Sequence, residues 1–330
     1  MRTLASIVKI NNIYKHDNAD LLDIAEIGGW QCVIKKGQFK INESAIYIEI
    51  DSILPINEHF EFLLQGKEPK LYDNIPGIRL QTKRIRGKLS QGLLMPISIL
   101  SSIPENSDVT ELLGIRKYEK PIQTCLFGEA KGNFPSFIPK TDLTRIQSLF
   151  HEFEEWKSKN YTWTVEEKID GSSTTAFYDT QLNVCSRNLN LKETEENAFW
   201  QISRKFALEE KLQSLNVALQ FETFGNKLNG NIYKRNDISG YFFYVYDLNS
   251  HKYLTPIERN DILTKLELPV VPIIHENFDI SNQSIQDLLV MANGKSKVSN
   301  VDREGLVFRC NEDSTIRFKV ISNNYLLKFD

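Results

Sequence analysis

The sequence predicts two domains of different class, an all-β domain followed by an α+β domain. The chain has 330 residues, a length that favours two domains over one. Its first third alternates apolar and polar residues in short runs that end at glycine, proline or Asx residues, which is typical of β-strands. From about residue 160, helical and strand patterns follow one another without a regular βαβ repeat, which indicates an α+β arrangement.

Residues 1–110 are predicted to form a small β-barrel. A turn rich in Asx residues at 16–20 and the glycine pair Gly28-Gly29 separate its early strands. Five or so short strands at this spacing are typical of a closed, OB-like barrel. The predicted strand runs are 4–10, 22–27, 30–34, 45–50, 77–85 and 92–96.

Residues 111–158 are predicted to be a connector, and residues 159–330 the second domain. The connector should begin near a short helical stretch at 109–114 that stops at a glycine, and a helix is predicted at 143–155. Pro135 and Pro139 exclude a regular helix or central strand between them. In the second domain we expect helices at 198–215 and 256–266, and strands at 161–165, 174–178, 217–224, 240–248, 305–309 and 315–320.

Composition indicates an ordinary globular protein. The hydrophobic share is 41% and the charged share 25%, and the net charge of −3 argues against a global basic field while leaving room for a local nucleic-acid groove. No signal peptide or membrane-length apolar run is present, so we expect a cytoplasmic monomer that does not contact membranes. The four cysteines lack pair spacing, which argues against zinc or a disulfide framework: Cys32, Cys125, Cys185 and Cys310.

Lys168 is the residue around which the chemistry of the second domain is predicted. It lies just after a predicted strand and is followed by the turn pair Asp170-Gly171. A lysine that is partly desolvated at a strand end is pushed towards its neutral form, and a neutral lysine is a nucleophile. A solvated lysine at the end of a strand is the alternative that Lys168 alone leaves open, and Asp170-Gly171 alone is compatible with a simple turn.

Later strands supply the other groups that nucleotidyl transfer needs. Such a transfer requires cations for phosphates, carboxylates for a metal, a partner for the ribose and a flat face for the base. Arg317 and Lys319 share one face of the last predicted strand because side chains two apart point the same way. The candidates, in chain order, are Lys168, Arg187, Glu222, Tyr246, Glu304, Arg317 and Lys319.

In this order the motifs resemble those of the covalent nucleotidyltransferase superfamily, which contains DNA ligases, RNA ligases and mRNA-capping enzymes. The resemblance rests on residues 168–171, 186–188, 221–222, 243–247, 304–307 and 317–319. Residues 16–20, 29–33, 36–39, 48–52 and 86–93, the segment 134–145 and the ending 325–328 are similar to the fifth family of ATP-dependent RNA ligases. The resemblance implies an α+β nucleotidyltransferase domain, with antiparallel sheets and flanking helices, behind an OB-like barrel.

The resemblance also implies a role for each candidate residue. Lys168 would form a lysyl-AMP from ATP, and Asp170 and Glu304 would hold water ligands of Mg²⁺ or Mn²⁺. The family usually has phenylalanine where Tyr246 stands and lysine where Arg317 stands, so the role of Arg317 is open. The implied nucleotide contacts are Arg187 to phosphates or ribose, Glu222 to a ribose hydroxyl, Tyr246 to adenine, Arg317 and Lys319 to phosphates, and Glu167 and Arg145 to the nucleotide.

The leading interpretation is an ATP-dependent RNA ligase that seals 3′-OH/5′-phosphate nicks in RNA or RNA/DNA duplexes, an activity suited to RNA repair. DNA ligases and capping enzymes are the first alternative, and they usually carry a C-terminal OB domain, whereas here the OB-like module comes first. A non-catalytic OB-fold nucleic-acid-binding protein is the second alternative. The basic run Lys83, Arg84, Arg86 and Lys88 indicates either a nucleic-acid contact or a charged, solvated edge strand.

Overall fold

The computed structural model describes residues 3–100, 103–119, 129–226, 228 and 230–329. The chain divides into two compact units, Met1–Pro121 with Leu326–Asp330, and Ile122–Tyr325. The domain limits predicted at 110 and 158 stay a prediction, and residues 120–128 of the predicted connector, with Cys125, lie outside the described residues. None of the helices formed by the described residues is long and apolar enough to cross a membrane.

The first unit is built from short antiparallel strands. The strands are β1 (Ala5–Lys9), β2 (Asn12–Lys15), β3 (Leu22–Ile27), β4 (Trp30–Lys35), β5 (Ser44–Ile48), β6 (Ser52–Leu54), β7 (Lys70–Tyr72), β8 (Ile75–Arg79), β9 (Lys83–Ile85), β10 (Lys88–Ser90), β11 (Leu93–Pro96) and β12 (Arg116–Lys117). They form the sheets β1-β5-β11, β2-β3-β4, β9-β10 and β12-β6-β8-β7, with 3-10 turns at Glu61–Leu64 and Ile97–Ile99.

The core of the first unit follows the alternation read from the sequence. Ala5 and Ile7 of β1 are buried, as are Ile46 and Ile48 of β5, and they pack together in one apolar cluster. The all-β prediction is confirmed. The short helical stretch of one or two turns predicted at 109–114 is a single hydrogen-bonded turn, which ends at Gly114 with a φ of +64°.

The second unit combines two antiparallel sheets with helices. The elements are β13 (Ala130–Asn133), a 3-10 turn (Ile146–Ser148), α1 (Phe150–Lys157), β14 (Trp163–Lys168), β15 (Ser172–Tyr178), β16 (Leu182–Cys185), β17 (Leu189–Leu191), α2 (Ala198–Lys205), α3 (Leu208–Leu212), β18 (Val217–Gly225), β19 (Ile238–Asp247), β20 (Lys252–Tyr253), α4 (Pro256–Lys265), β21 (Ile273–Phe278), α5 (Ile285–Ala292), β22 (Gly305–Cys310) and β23 (Arg317–Ile321). The last helix, α6 (Asn323–Phe329), begins in this unit, and its residues from Leu326 on belong to the first. The sheets have the orders β13-β17-β16-β15-β18-β19-β20 and β21-β14-β22-β23.

Helices cover one face of each sheet and leave the other face for polar residues. Residues of α2, α3 and α4 pack on the seven-stranded sheet, while α1 and α5 pack on the four-stranded sheet. The predicted antiparallel α+β architecture with flanking helices is confirmed. Because side chains alternate along a strand, the uncovered faces carry Glu166, Lys168 and Lys319 on one sheet and Glu222 and Tyr246 on the other.

Two helix predictions are wrong in extent. The helix predicted at 143–155 begins only at Phe150, because the preceding segment is extended at Arg145 and Thr144 O accepts a hydrogen bond from Lys319 N at 2.9 Å. The helix predicted at 198–215 is two helices, because Ala207 adopts a left-handed φ of +51°. That break lets Ile202 and Leu208, on either side of it, enter the same core.

We expect Ile7→Ala to destabilise the first unit. Ile7 is fully buried in the apolar cluster, so the substitution should lower the free energy of unfolding by about 2–5 kcal/mol. Chemical denaturation followed by circular dichroism measures the change. Leu21→Ala is the matched control, since Leu21 is 79% exposed. Equal effects of the two substitutions would contradict the packing described above.

Candidate active site

Lys168 is placed by the pairing of two neighbouring strands. It is the last residue of β14 and lies opposite Gly305, the first residue of β22. Its Nζ donates a hydrogen bond to Glu304 Oε2 at 2.8 Å. A Cβ at position 305 would lie 2.2 Å from Val320 O, so only glycine allows β23 to pair this closely beside Lys168. The register of β14 and β22 therefore brings an amine and a carboxylate together over 136 residues of sequence.

Carboxylates surround the lysine amine. Glu222 of β18, Asp170 and Glu304 all act electrostatically on Lys168. Burial on its own lowers the pKa of Lys168, but the negative charges, that of Glu304 first, outweigh it and leave the lysine pKa above its usual value. The expectation that the strand end pushes this lysine towards its neutral form is therefore wrong, because the surrounding protein groups by themselves favour the protonated amine.

Glu222 shows the same excess of negative charge. Burial raises its pKa to about 8, Lys168 acts in the opposite direction, and the neighbouring carboxylates Glu304 and Asp170 raise it further. The site thus gathers more negative than positive charge around its centre. Among the described residues, no group of three or more His, Cys, Asp or Glu side chains is close enough to ligate a metal ion directly.

Asp170 is held by two tyrosines that the sequence did not single out for a role. Tyr233 Oη accepts a hydrogen bond from Asp170 N at 2.9 Å. Burial and the charges of Glu304 and Asp170 raise the pKa of Tyr325, and so does a hydrogen bond between its hydroxyl and Asp170. Gly171 is required beside Asp170, because a Cβ there would lie 2.4 Å from Thr223 O. The Asp-Gly pair is therefore fixed by close packing.

Glu167 is directed away from the amine of its neighbour. Its carboxylate accepts a hydrogen bond from Ser296 Oγ and another from Lys297 N, the latter at 2.7 Å. These bonds attach the loop between α5 and β22 to β14. The side chain of Glu167 is therefore engaged with the protein.

The segment before α1 lies over several of the predicted motifs. Arg187 Nη2 donates to Asp142 Oδ1 at 2.7 Å, and Thr141 Oγ1 lies 2.8 Å from Ser173 Oγ. Arg145 is buried and forms an isolated bridge with Lys319. Residues 141–145 therefore bring Arg145, Arg187 and Lys319 into one neighbourhood.

At the other end of the cleft between the two sheets, Tyr246 and Arg317 each contact Tyr253. Tyr246 is buried against Ile138 and Phe177. The Arg317 guanidinium carbon lies 3.9 Å from the centroid of the Tyr253 ring and 4.7 Å from that of Tyr244. Arg317 is thus stacked on aromatic rings.

A buried ion triad that the sequence analysis missed lies on the same face of the four-stranded sheet as Lys168. Arg309 Nε donates to Glu166 Oε2 at 2.6 Å, and Arg259 Nη2 lies 2.5 Å from Glu166 Oε1. Both the Arg259 and Glu166 side chains are 1% exposed. An acidic residue two positions before Lys168, on the same face of the strand, is the one sequence signal that pointed here.

The predicted nucleic-acid residues belong to the other unit and form a β-hairpin. Lys83 and Arg84 lie in β9, Lys88 lies in β10, and Arg86 with Gly87 forms the two-residue turn with φ values of +47° and +91°. Lys83, Arg84 and Arg86 are exposed, whereas Lys88 is paired with Asp17.

Comparison with known protein families gives one match in each of the two units. A family model described as an OB-fold domain matches residues 4–97, and one described as RNA ligase matches residues 161–321. The structure of Naegleria gruberi RNA ligase with PPi has a TM-score of 0.91 and 40% identity, over 99% of this chain and 98% of that chain. No curated protein sequence matches with significance.

Two mutants of the same Naegleria gruberi ligase are similar to the same degree. One, solved with ATP and Mn, has a TM-score of 0.91, and the other, solved with AMP and Mn, has a TM-score of 0.92. Each is 40% identical, over 98% of this chain and 98% of that chain. Fold, site and matches define a polynucleotide ligase of the nucleotidyltransferase fold with an OB-fold domain in front. The chain belongs to the family of ATP-dependent RNA ligases.

We expect Glu166→Gln to destabilise the second unit strongly. The substitution leaves the buried guanidinium groups of Arg259 and Arg309 without a compensating charge, at a cost of about 3–5 kcal/mol in the free energy of unfolding. Urea denaturation measures it. Glu154→Gln is the control, because Glu154 pairs with Lys157 on an exposed helix surface, where ion pairs contribute about 0–1 kcal/mol. A similar loss in both variants would refute this assignment.

Proposed function

We propose that this RNA ligase seals 3′-OH/5′-phosphate nicks through a covalent lysyl-AMP on Lys168 and an AMP-capped 5′ end. The observation that carries the proposal is the amine of Lys168, fixed at 2.8 Å from Glu304 among the carboxylates Glu222 and Asp170. Relatives 40% identical were solved with PPi, with ATP and Mn, and with AMP and Mn. Pyrophosphate is a product of lysine adenylation, ATP is its substrate, and AMP is the nucleotide that is transferred.

The protein groups support a metal-assisted first step. Their donor set consists of carboxylate oxygens, which suit Mg²⁺ or Mn²⁺, and Asp170 and Glu304 would hold such an ion through its water ligands. Burial first, and then the neighbouring carboxylates, raise the pKa of Glu222, and the carboxylates raise that of Lys168 against the effect of its burial. This excess of carboxylates fits a bound cation. When bound, the ion supplies positive charge that offsets these carboxylates and favours the neutral amine.

The proposed reaction has three transfers. Lys168 Nζ, once deprotonated, attacks the α-phosphorus of ATP, so that a P–N bond forms and the P–O bond to pyrophosphate breaks. An oxygen of the RNA 5′-phosphate then attacks the same phosphorus, which breaks the P–N bond and forms a 5′-5′ pyrophosphate linkage. The 3′-OH finally loses its proton and attacks the 5′-phosphorus, a phosphodiester forms, and AMP leaves.

Other residues bind and orient the nucleotide in this proposal. Glu222 accepts a hydrogen bond from a ribose hydroxyl, and the ring of Tyr246 faces the adenine. Lys319 and Arg187 contact phosphates, supported by their position beside residues 141–145. Arg145 and Glu167 contribute further nucleotide contacts, Glu167 through its backbone because its carboxylate is engaged with Ser296 and Lys297.

We propose that the substrate is a nicked RNA or RNA/DNA duplex and that the β9–β10 hairpin contacts its phosphates. The turn at 16–18 supports the hairpin from behind: His16 Nε2 lies 3.1 Å from Ile85 O, and Asn18 Nδ2 donates to Arg86 O at 3.4 Å. Held in this way, the hairpin presents three exposed cations, and one of them, Arg84, also donates a hydrogen bond from Nη1 to Gly87 O at 3.1 Å. Such an arrangement suits sequence-independent phosphate contacts.

Lys168→Met is expected to abolish covalent labelling by α-³²P-ATP. Methionine keeps the length of the side chain and removes the amine that forms the P–N bond. The measurement is radiolabel retained on the denatured protein after incubation with Mn²⁺. Lys159→Met, at a lysine paired with Glu155 on the surface, should retain labelling. Covalent AMP on the Lys168→Met variant would refute the proposal.

Replacing Lys83, Arg84 and Arg86 together by alanine should weaken RNA binding and its salt dependence. Each lost phosphate contact lowers the slope of log K against log salt by about 0.7–0.9. Binding of a nicked duplex, measured by fluorescence anisotropy at several salt concentrations, tests this. A charge-matched control replaces the exposed residues Lys40, Lys67 and Lys70. If the control changes the slope as much as the hairpin variant, the hairpin is not the contact.

A further inference from the structure

Arg317 rests on two aromatic rings of the opposite sheet. Its guanidinium carbon lies 3.9 Å from the ring centroid of Tyr253 and 4.7 Å from that of Tyr244, and the two rings are 4.5 Å apart. Arg317 Nη1 also donates to Ser314 O at 3.2 Å. A planar guanidinium can stack on rings in this way, whereas a lysine ammonium offers only a point charge.

The rings beneath Arg317 lead to Tyr246. Tyr253 of β20 is the strand partner of Tyr246 in β19, and their ring centroids are 4.9 Å apart in an edge-to-face arrangement. The hydroxyl of Tyr253 is fixed by a hydrogen bond to Gln220 Oε1 at 3.0 Å. Tyr253 therefore connects the charge on Arg317 to the ring that faces the base in the proposed function.

Tyr244 is also in contact with the buried ion triad. The Arg309 guanidinium carbon lies 4.0 Å from its ring centroid, and Arg309 is paired with Glu166 at 2.6 Å. The charge of Arg309 is thus compensated within the protein. Arg309 and Arg317 of the four-stranded sheet are therefore linked through the ring of Tyr244, which belongs to the seven-stranded sheet.

Strand register separates Arg317 from the centre where phosphates would react. Lys168 lies opposite Gly305, Lys319 opposite Val307, and Arg317 opposite Arg309. At the rise of a β-strand, Arg317 stands about 13 Å along β22 from the Lys168 position, and Lys319 about 7 Å. Lys319 is therefore at the phosphate end of the cleft, and Arg317 is at the end occupied by the aromatic rings.

We propose that Arg317 is a positioning residue for the base side of the nucleotide site, where it fixes Tyr253 and through it the ring of Tyr246. This role replaces the phosphate contact that the family resemblance implies for the position. The inference rests on the proposed function, since it takes the ring of Tyr246 as the surface for adenine. It predicts that Arg317 affects binding of the base and sugar as much as binding of the triphosphate.

Binding of ATP and of adenosine, which has no phosphate, separates the two roles. Arg317→Ala should weaken both ligands by a similar factor, about fivefold, because a misplaced ring affects the base in each. Lys319→Ala should weaken ATP and leave adenosine unchanged. Isothermal titration calorimetry in the presence of Mn²⁺ gives both dissociation constants for each variant.

Further variants keep the test independent of folding and of charge. Arg317→Lys retains the charge without the planar stack, so it should behave as Arg317→Ala does. Tyr253→Leu should weaken the binding of both ATP and adenosine. Tyr253→Phe keeps the ring and should retain most of the affinity for both. Thermal melts show which variants are unfolded. If Arg317→Ala is unfolded, Arg317→Lys and the two Tyr253 variants decide the outcome.

Two results would overturn the positioning role. One is loss of ATP binding with adenosine binding unchanged in Arg317→Ala, especially if Arg317→Lys restores it, and the other is no effect on either ligand. The failure of the proposed function looks different, because the unsubstituted protein would then bind no ATP and form no covalent adenylate.

Discussion

The antiparallel register of β14 and β22 is the constraint on which the candidate active site depends. It sets Lys168 opposite Gly305 and so brings Glu304, the residue before that glycine, within 2.8 Å of the lysine amine. A shift of one residue would turn the lysine to the helix-covered face of the sheet. The glycine is part of the same constraint, because a Cβ there would overlap the backbone of β23 at Val320.

The balance of charge differs between the surroundings of Glu166 and those of Lys168, although the two residues are close together. Two residues before Lys168 on the same strand face, Glu166 is enclosed by Arg259 and Arg309, so a buried carboxylate is compensated twice. Around Lys168 the carboxylates outnumber the cations, and the pKa of Glu222 rises to about 8. Glu166 and Lys168 are only two residues apart on β14, yet the first belongs to a charge-balanced structural network and the second to a site whose excess of carboxylates favours a bound cation.

Sequence reasoning succeeded where a pattern is local and failed where a distant contact competes with it. The buried strands at 217–224 and 240–248 and the helix at 256–266 were predicted almost to their limits, because their periodicity or caps are local. The helix expected from 143 begins late because Lys319 N of β23 donates a hydrogen bond to Thr144 O in that segment. The pKa of Lys168 was expected to fall, since the sequence does not say how many carboxylates the fold brings to one amine.

By itself the sequence determined the order of the two domains, their classes and the motif residues from Lys168 to Lys319, because strand alternation and motif spacing are properties of the linear chain. Only the tertiary structure decided what each of those residues touches. It engaged the Glu167 carboxylate with Ser296, attached Arg187 to Asp142 and stacked Arg317 on Tyr253. The reason is physical: contacts across sheets depend on register and side-chain reach, and neither is encoded in the neighbours of a residue along the chain.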